Sequence, residues 1–311
     1  MNVPARYALY FALCILCLIL LALIISSLGL LEPTIAIILS VPLWGLALLL
    51  LVTALEFFAK VARFSYCLPA RHPLAKLSFP YFFGSFLSFL VPFRLLGEGV
   101  RPVVFKMHSG IRYSDSLSAI SAERMHDMAF VTLFAAITVG TLLHPLLAFG
   151  MVGMLALFVY LVFSGILADT AARLNIRTLS AFAKSYSQSF SKAFSTPARV
   201  FAIAALTAII WLLAFARLWL ILCLIGSPLG LVDAGAASSL AYLSSLVSFL
   251  PGGILGFEGG GVAVLSYLGA GIEAALAAIL LERLFSYWLF IALGPLSALA
   301  MGIGFPDKVR A

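Results

Sequence analysis

The chain has 311 residues, 64% of them apolar and only 10% charged, with a mean hydropathy of +1.17. A soluble globular mix is about half apolar and a quarter charged, so a soluble enzyme is excluded and the composition is that of a polytopic integral membrane protein. The net charge of +7 follows from basic residues placed around membrane segments and calls for no nucleic-acid partner.

The first apolar run, residues 7–31, comes after Arg6 and contains no A-x-A-like cleavage site. It reads as an uncleaved first helix, since about 20 apolar residues cross a hydrocarbon core as a helix. Cys14-x-x-Cys17 within it matches a redox spacing by letter only, without a βαβ context. Together with Cys67 and Cys223 these cysteines read as buried small apolar residues. A second run covers 34–58 and is followed by a basic cluster of Lys60, Arg63, Arg71 and Lys76. Residues 77–112 hold two apolar arms around VPFRLLGEG. A helix starting near Asp115 carries Glu123, Arg124 and Asp127 and runs to His144-Pro145.

The second half opens with the apolar run 146–168. Segment 173–197 comes next, basic, with Ile176, Leu179, Phe182, Tyr186, Phe190 and Phe194 three or four apart. That spacing predicts an amphipathic helix on the cytoplasmic leaflet, the alternative being a solvated loop. Run 200–225 contains Arg217, and 232–271 again holds two apolar arms, here around LPGGILGFEGG. A last helix carries Glu282 and Arg283 and finishes before Lys308 and Arg310.

The basic clusters are cytoplasmic by the positive-inside rule, which places both termini inside the cell membrane. Segments 77–112 and 232–271 then each enter and leave on one face, the first from the cytoplasm and the second from outside. The expected architecture is all-α: about six full transmembrane helices plus two opposed re-entrant helical hairpins, or eight spans if hairpin limbs are counted. Pro92, Gly97 and Gly99 break the first hairpin, and Pro251, Gly252, Gly253 and Gly256 the second.

Self-comparison strengthens this. Ser88-Phe89-Leu90 recurs as Ser248-Phe249-Leu250, Glu98-Gly99 as Glu258-Gly259, and Glu123-Arg124 as Glu282-Arg283. The chain therefore reads as a single membrane domain built from repeat 1, about 1–145, and repeat 2, about 146–311, in opposite orientations. Inverted repeats with broken helices are a transporter architecture, and backbone leaves helical form at membrane depth only inside protein or beside a wet cavity.

Ionisable residues in apolar surroundings mark the candidate site: Arg94, Glu98, Arg101, Glu123, Arg124, Asp127, Glu258, Glu282 and Arg283, with Arg217 in addition. Central charges cost about 2.5–3.5 kcal/mol each on translocon scales, so they persist when paired, hydrated or functional. Glu123 and Asp127 share a helix face, with Arg124 one turn from Asp127. Matching Arg and carboxylate positions in both repeats predict a cross-paired network at the hairpin tips. The Glu–Arg pairs could equally be fasteners between helices. Glu258 has no basic neighbour in sequence, so it pairs across the fold, carries a proton or faces water. The histidines lack metal-ligand spacing and no nucleophile or nucleotide motif is present, so no metal, no cofactor and no catalytic residue is expected.

The residues Pro92-Phe93-Arg94-Leu95-Leu96-Gly97-Glu98 with Arg101, Glu123-Arg124-Met125-His126-Asp127, Pro251-Gly252-Gly253-Ile254-Leu255-Gly256-Phe257-Glu258 and Glu282-Arg283 carry a resemblance over nearly the whole chain. The sequence resembles the lysylphosphatidylglycerol synthase transmembrane, or flippase-like, family, although its P-x-R-x-x-G-E spacing is one residue longer than the family pattern. The resemblance implies movement of polar lipids between leaflets. It also implies that synthase activity, which resides in an additional soluble domain of bifunctional members, is not expected of this chain. The resulting expectation is a lipid flippase for a phosphate-bearing headgroup, with the hairpin-tip charges as ligands and Glu98 and Glu258 as candidate proton carriers. The alternatives are a membrane-embedded headgroup-modifying enzyme using Glu123, His126 and Asp127, or an accessory partner of a separate lipid synthase.

Overall fold

The computed structural model describes residues 26–91, 97–142, 144–163, 177–248 and 250–303, with a few isolated positions before 26. Most of the expected first span, with Cys14 and Cys17, and the two chain ends, with Arg6, Lys308 and Arg310, lie outside them, as do Pro92 and Arg94. All regular elements of the described residues are helical. They are α1 Leu31–Leu39, α2 Leu43–Cys67, α3 Leu74–Leu90, α4 Arg101–Ser109, α5 Tyr113–Leu142 and α6 Pro145–Phe163. Then come α7 Arg177–Ala193, α8 Pro197–Leu224, α9 Leu231–Val247, a 3-10 turn Pro251–Gly253, α10 Gly256–Tyr267, α11 Ile272–Arg283, a π-turn Leu284–Trp288 and α12 Leu289–Ala300.

Three helical stretches are long and apolar enough to cross a membrane: Leu43–Cys67, Pro197–Leu224 and Ile272–Ala300, the last continuous through the π-turn. α5 has 30 residues, about 45 Å at 1.5 Å per residue, with its charges in the N-terminal half. The outer faces of these helices are apolar, with Leu43, Trp44, Leu51 and Phe58 of α2 exposed, and so are Leu146, Phe149 and Met154 of α6. A soluble protein avoids such surface; a bilayer solvates it.

Three boundaries differ from the sequence reading. Run 34–58 is not one helix: Pro42 takes an extended conformation as the N-cap of α2, because its ring and missing N–H cannot continue α1. The chain turns before Glu32-Pro33, at Gly29 with φ +71°, so Pro33 lies in the first turn of α1, where a missing N–H costs nothing. At its other end α2 runs on to Cys67, so Lys60 and Arg63 are helical and not part of a loop cluster. Arg63 is 1% exposed. The inner face of α2 reads Gly45, Leu49, Thr53, Glu56, Arg63 and Cys67, all buried, at the three- and four-residue steps of one helix face. Of the cysteines described, Cys67 is buried as expected and Cys223 is exposed.

Both broken segments form pairs of packed helices, α3 with α4 and α9 with α10. Tight apices allow this. At Gly97 a Cβ would stand 2.1 Å from the Ser88 carbonyl oxygen, and at Gly253 one would stand 2.8 Å from that of Ser245. Gly252 and Gly253 adopt φ of +63° and +71°, open to glycine and strained for other residues. Gly252 presses on Tyr287, where a Cβ would lie 2.3 Å from the ring. The second apex thus packs against the last long helix, and also against α3.

Segment 173–197 contains a helix, α7, as expected. Its buried residues Ser189, Phe190 and Ala193 face the protein. Ser189 donates to Asp115 at 2.6 Å, and Ser185 and Ser114 hydroxyls lie 2.9 Å apart. Of the apolar stripe, Tyr186, Phe190 and Phe194 join the core around Phe64, Phe105 and Ile120, and α7 packs on α5; Ile176 and the side chains of Leu179 and Phe182 lie outside the described residues.

Candidate functional site

The helix pairs and the three long helices enclose a cavity of about 130 Å³, room for several water molecules. α2, α3, α5, α8, α9 and the Arg283–Phe290 stretch all contribute to its wall. Serine and tyrosine hydroxyls (Ser85, Ser88, Ser238, Tyr242) and ion pairs alternate with Phe89, Trp211 and Phe257 around it.

Six charges form a closed ring of alternating sign. Arg63 of α2 holds Asp127 of α5 with two hydrogen bonds, Nη1 to Oδ1 at 2.6 Å and Nη2 to Oδ2 at 3.2 Å. Asp127 also faces Arg124 at 3.3 Å and accepts from Trp211 Nε1 at 3.0 Å. Arg124 Nε lies 3.3 Å from Glu98, which accepts from Arg101 Nη1 at 2.9 Å. Arg101 Nη2 is 3.5 Å from Glu123, and Glu123 is 3.5 Å from Arg63 Nε, closing the circuit. Arg124 further donates to the Tyr242 hydroxyl of α9 at 3.1 Å, which ties the ring to the second helix pair. Arg101 lies over the Tyr81 ring with 4.5 Å to its centroid, an added attraction for a desolvated guanidinium.

A second group is an open chain. Arg217 of α8 grips Glu282 with Nε–Oε2 at 2.9 Å and a second bond, and reaches Glu56 of α2 through Nη1. Lys60 closes on the other oxygen of Glu56 at 2.5 Å and lies near the Phe57 and Phe290 rings. The third group is one pair: Arg283 donates through Nε to Glu258 at 2.7 Å and through Nη2 to the Gly252 carbonyl at 3.2 Å, flanked by Phe257 and Tyr287. Among the described residues each group is neutral by formal charge. Burial demands that, because an isolated charge at low dielectric costs several kcal/mol or more, whereas a paired and hydrogen-bonded one is tolerated.

The cross-paired network expected at the tips is present. It unites Glu98, Arg101, Glu123, Arg124 and Asp127, joins Glu258 to Arg283, and sends Glu282 to a different partner, Arg217. Glu258 finds its arginine across the fold. Arg94 lies outside the described residues. Sequence reasoning missed Glu56, Lys60 and Arg63, having assigned the last two to a cytoplasmic loop, and left Arg217 out of the site. The signal was there: residues 56, 60 and 63 step by four and three along one helix face. His126 does not join the site: its Nδ1 lies 2.8 Å from the Ala122 carbonyl and its ring stacks on Phe194 beside α7.

The partners correspond between the two halves. The first-apex carboxylate, Glu98, faces Arg124 and the second, Glu258, faces Arg283. The glutamate before each of those arginines turns to an arginine on an earlier long helix, Glu123 to Arg63 and Glu282 to Arg217.

A polytopic helical protein with broken-helix pairs around a buried, charge-lined cavity is the class this fold and site define. Residues 6–294 match the family model described as the lysylphosphatidylglycerol synthase TM region, and the chain belongs to that family. It is also similar to a "UPF0104 membrane protein" from Methanothermobacter thermautotrophicus, 30% identical over 101 residues. That match covers 32% of this chain and 30% of the relative's length. No solved structure matches the chain.

Proposed function

We propose that this protein moves a polar, phosphate-bearing lipid between the leaflets of the cell membrane, acting by transport and not by chemical modification of the lipid. The observation that carries the reading is the ring Arg63–Asp127–Arg124–Glu98–Arg101–Glu123, all but Glu123 lining a cavity among helices long and apolar enough to cross a membrane. Well-packed apolar side chains in its place would be as stable or more so, since buried ion pairs rarely repay their desolvation. Charges kept at membrane depth are a functional signature by default. Guanidinium suits phosphate oxygens, which it binds two at a time. A cavity of about 130 Å³ takes a polar headgroup, not acyl chains, so the tails stay in the bilayer as the headgroup passes.

In this reading the chain is an inverted repeat. Its two helix pairs are re-entrant hairpins opening to opposite faces, and both termini are cytoplasmic. The matched pairings Glu98–Arg124 and Glu258–Arg283 support it. The test is purified protein in liposomes carrying head-labelled phospholipids or polyprenyl phosphates on one leaflet. Transfer to the other leaflet is expected, and it is expected to be lost on Arg101→Gln. Failure to transfer any of these lipids, with or without a pH gradient, overturns the reading.

A further inference from the structure

The charge-balanced ring poses a problem for any anion. Arg63, Arg101 and Arg124 already face Glu98, Glu123 and Asp127 in equal number among the described residues. A phosphate entering beside them meets as much negative charge as positive, and an added anion would leave the buried cluster with a net charge. Among the described residues, withdrawal of one carboxylate relieves that imbalance when an anion binds.

The six acids of the three charge groups are not equivalent in this respect. Glu56, Glu123, Asp127, Glu258 and Glu282 all sit on helices. Their side chains are at most 8% exposed. Glu98 sits on the turn between Gly97 and α4, and its side chain is 16% exposed. It bridges two guanidiniums, through Oε2 to Arg101 and through Oε1 to Arg124. Arg101 Nε is a buried donor with no hydrogen bond among the described residues, and Arg101 Nη2 and Arg124 Nε have only ion-pair contacts, to Glu123 at 3.5 Å and to Glu98 at 3.3 Å. A carboxylate spanning two arginines mimics the two non-bridging oxygens of a phosphodiester.

We infer that Arg101 and Arg124 form an anion subsite which Glu98 occupies as a tethered stand-in, so that a lipid phosphate binds by displacing the Glu98 carboxylate from the ring. The inference rests on the lipid-transport reading for the identity of the anion, and the arginine geometry carries the rest. Glu98 is then a competitor of the substrate and not one of its ligands. Its position on a turn, next to a glycine whose backbone is wedged against Ser88, couples displacement to movement of the first apex.

The test is equilibrium binding of dihexanoyl phosphatidylglycerol to the full-length protein in detergent, read by calorimetry, with zwitterionic dihexanoyl phosphatidylcholine for comparison. Glu98→Gln removes one negative charge and makes the ring more positive by one. Affinity for the anionic probe is expected to rise on the order of tenfold, the gain from one charge-assisted interaction freed for the ligand. Glu98→Asp, which keeps the charge but shortens its reach, is expected to give a smaller gain and guards against misfolding of the first variant. Unchanged or weaker binding in both variants overturns the inference, since a ligand or a brace would behave that way. An equal gain for phosphatidylcholine also overturns it. Because binding is read without transfer, absence of lipid movement in liposomes would defeat the transport reading while leaving this result to stand or fall separately.

Discussion

At the scale of single residues, the ring behaves as a set of mutual obligations. Arg63 is 1% exposed and reaches Asp127 with both terminal nitrogens, while Thr207 and Trp211 complete the shell. Removing one member strands the other. Asp127→Asn is expected to cost about 3–5 kcal/mol of stability, the usual penalty for an uncompensated buried charge. The double substitution Arg63→Met with Asp127→Leu is expected to recover most of that loss, because it removes both charges and keeps apolar volume. Thermal unfolding of the single and double variants in detergent, as a mutant cycle, checks both statements; equal destabilisation by Asp127→Asn and by the double change would count against the pairing. Most of these residues were legible in the sequence, since Glu98, Arg101, Glu123, Arg124, Asp127, Glu258, Glu282 and Arg283 stand out as charges inside apolar text. Arg63 and Glu56 were not. They lie at the end of an apolar run, where a buried charge and a cytoplasmic anchor look the same, and only the length of α2 decides between them.

At the scale of elements, the structure depends on where helices stop. Pro251 and the apical glycines were read as breaks because proline removes a donor and glycine permits positive φ, whereas the break at Pro42 inside an apolar run was missed. The extent and packing of the helices between breaks were less readable: α2 outruns its apolar stretch by two turns, and α7 turns Tyr186, Phe190 and Phe194 to the protein. A hydrophobic pattern states that a face is covered, not whether lipid or a neighbouring helix covers it. The second apex shows how demanding a break can be. Gly252 has φ +63° and stands where a Cβ would meet the Tyr287 ring at 2.3 Å, and its carbonyl accepts from Arg283. Gly252→Ala is expected to destabilise by more than about 1 kcal/mol from the left-handed backbone alone, with the steric conflict added. Gly153→Ala on α6, where nothing lies within 4 Å of the added carbon, is expected to be neutral or to stabilise by up to about 1 kcal/mol through helix propensity. Melting curves of the two alanine variants distinguish a required glycine from a permitted one.

At the scale of the whole molecule, the question is whether the two helix pairs enter from opposite faces. The correspondence of ion pairs argues for one unit used twice, and the absence of Lys and Arg from residues 227–271, against Arg71, Lys76, Lys106 and Arg112 around the first pair, argues that the copies are inverted. Opposite entry has a mechanical consequence. With opposite entry, the Glu98 apex would approach the cavity from one side and the Glu258 apex from the other, and under the proposed transport reading a headgroup held at the ring would be released to either leaflet by moving one apex at a time. The placement is testable without knowing the lipid. In a cysteine-free background, His108→Cys at the open end of the first pair and Tyr267→Cys at that of the second both place a thiol on an exposed position. A membrane-impermeant maleimide applied to sealed right-side-out vesicles is expected to label Tyr267→Cys and to spare His108→Cys, with the pattern reversed in inside-out vesicles. Labelling of both thiols from one face would end the inverted arrangement, and with it the alternating route, because both apices would then open to the same leaflet.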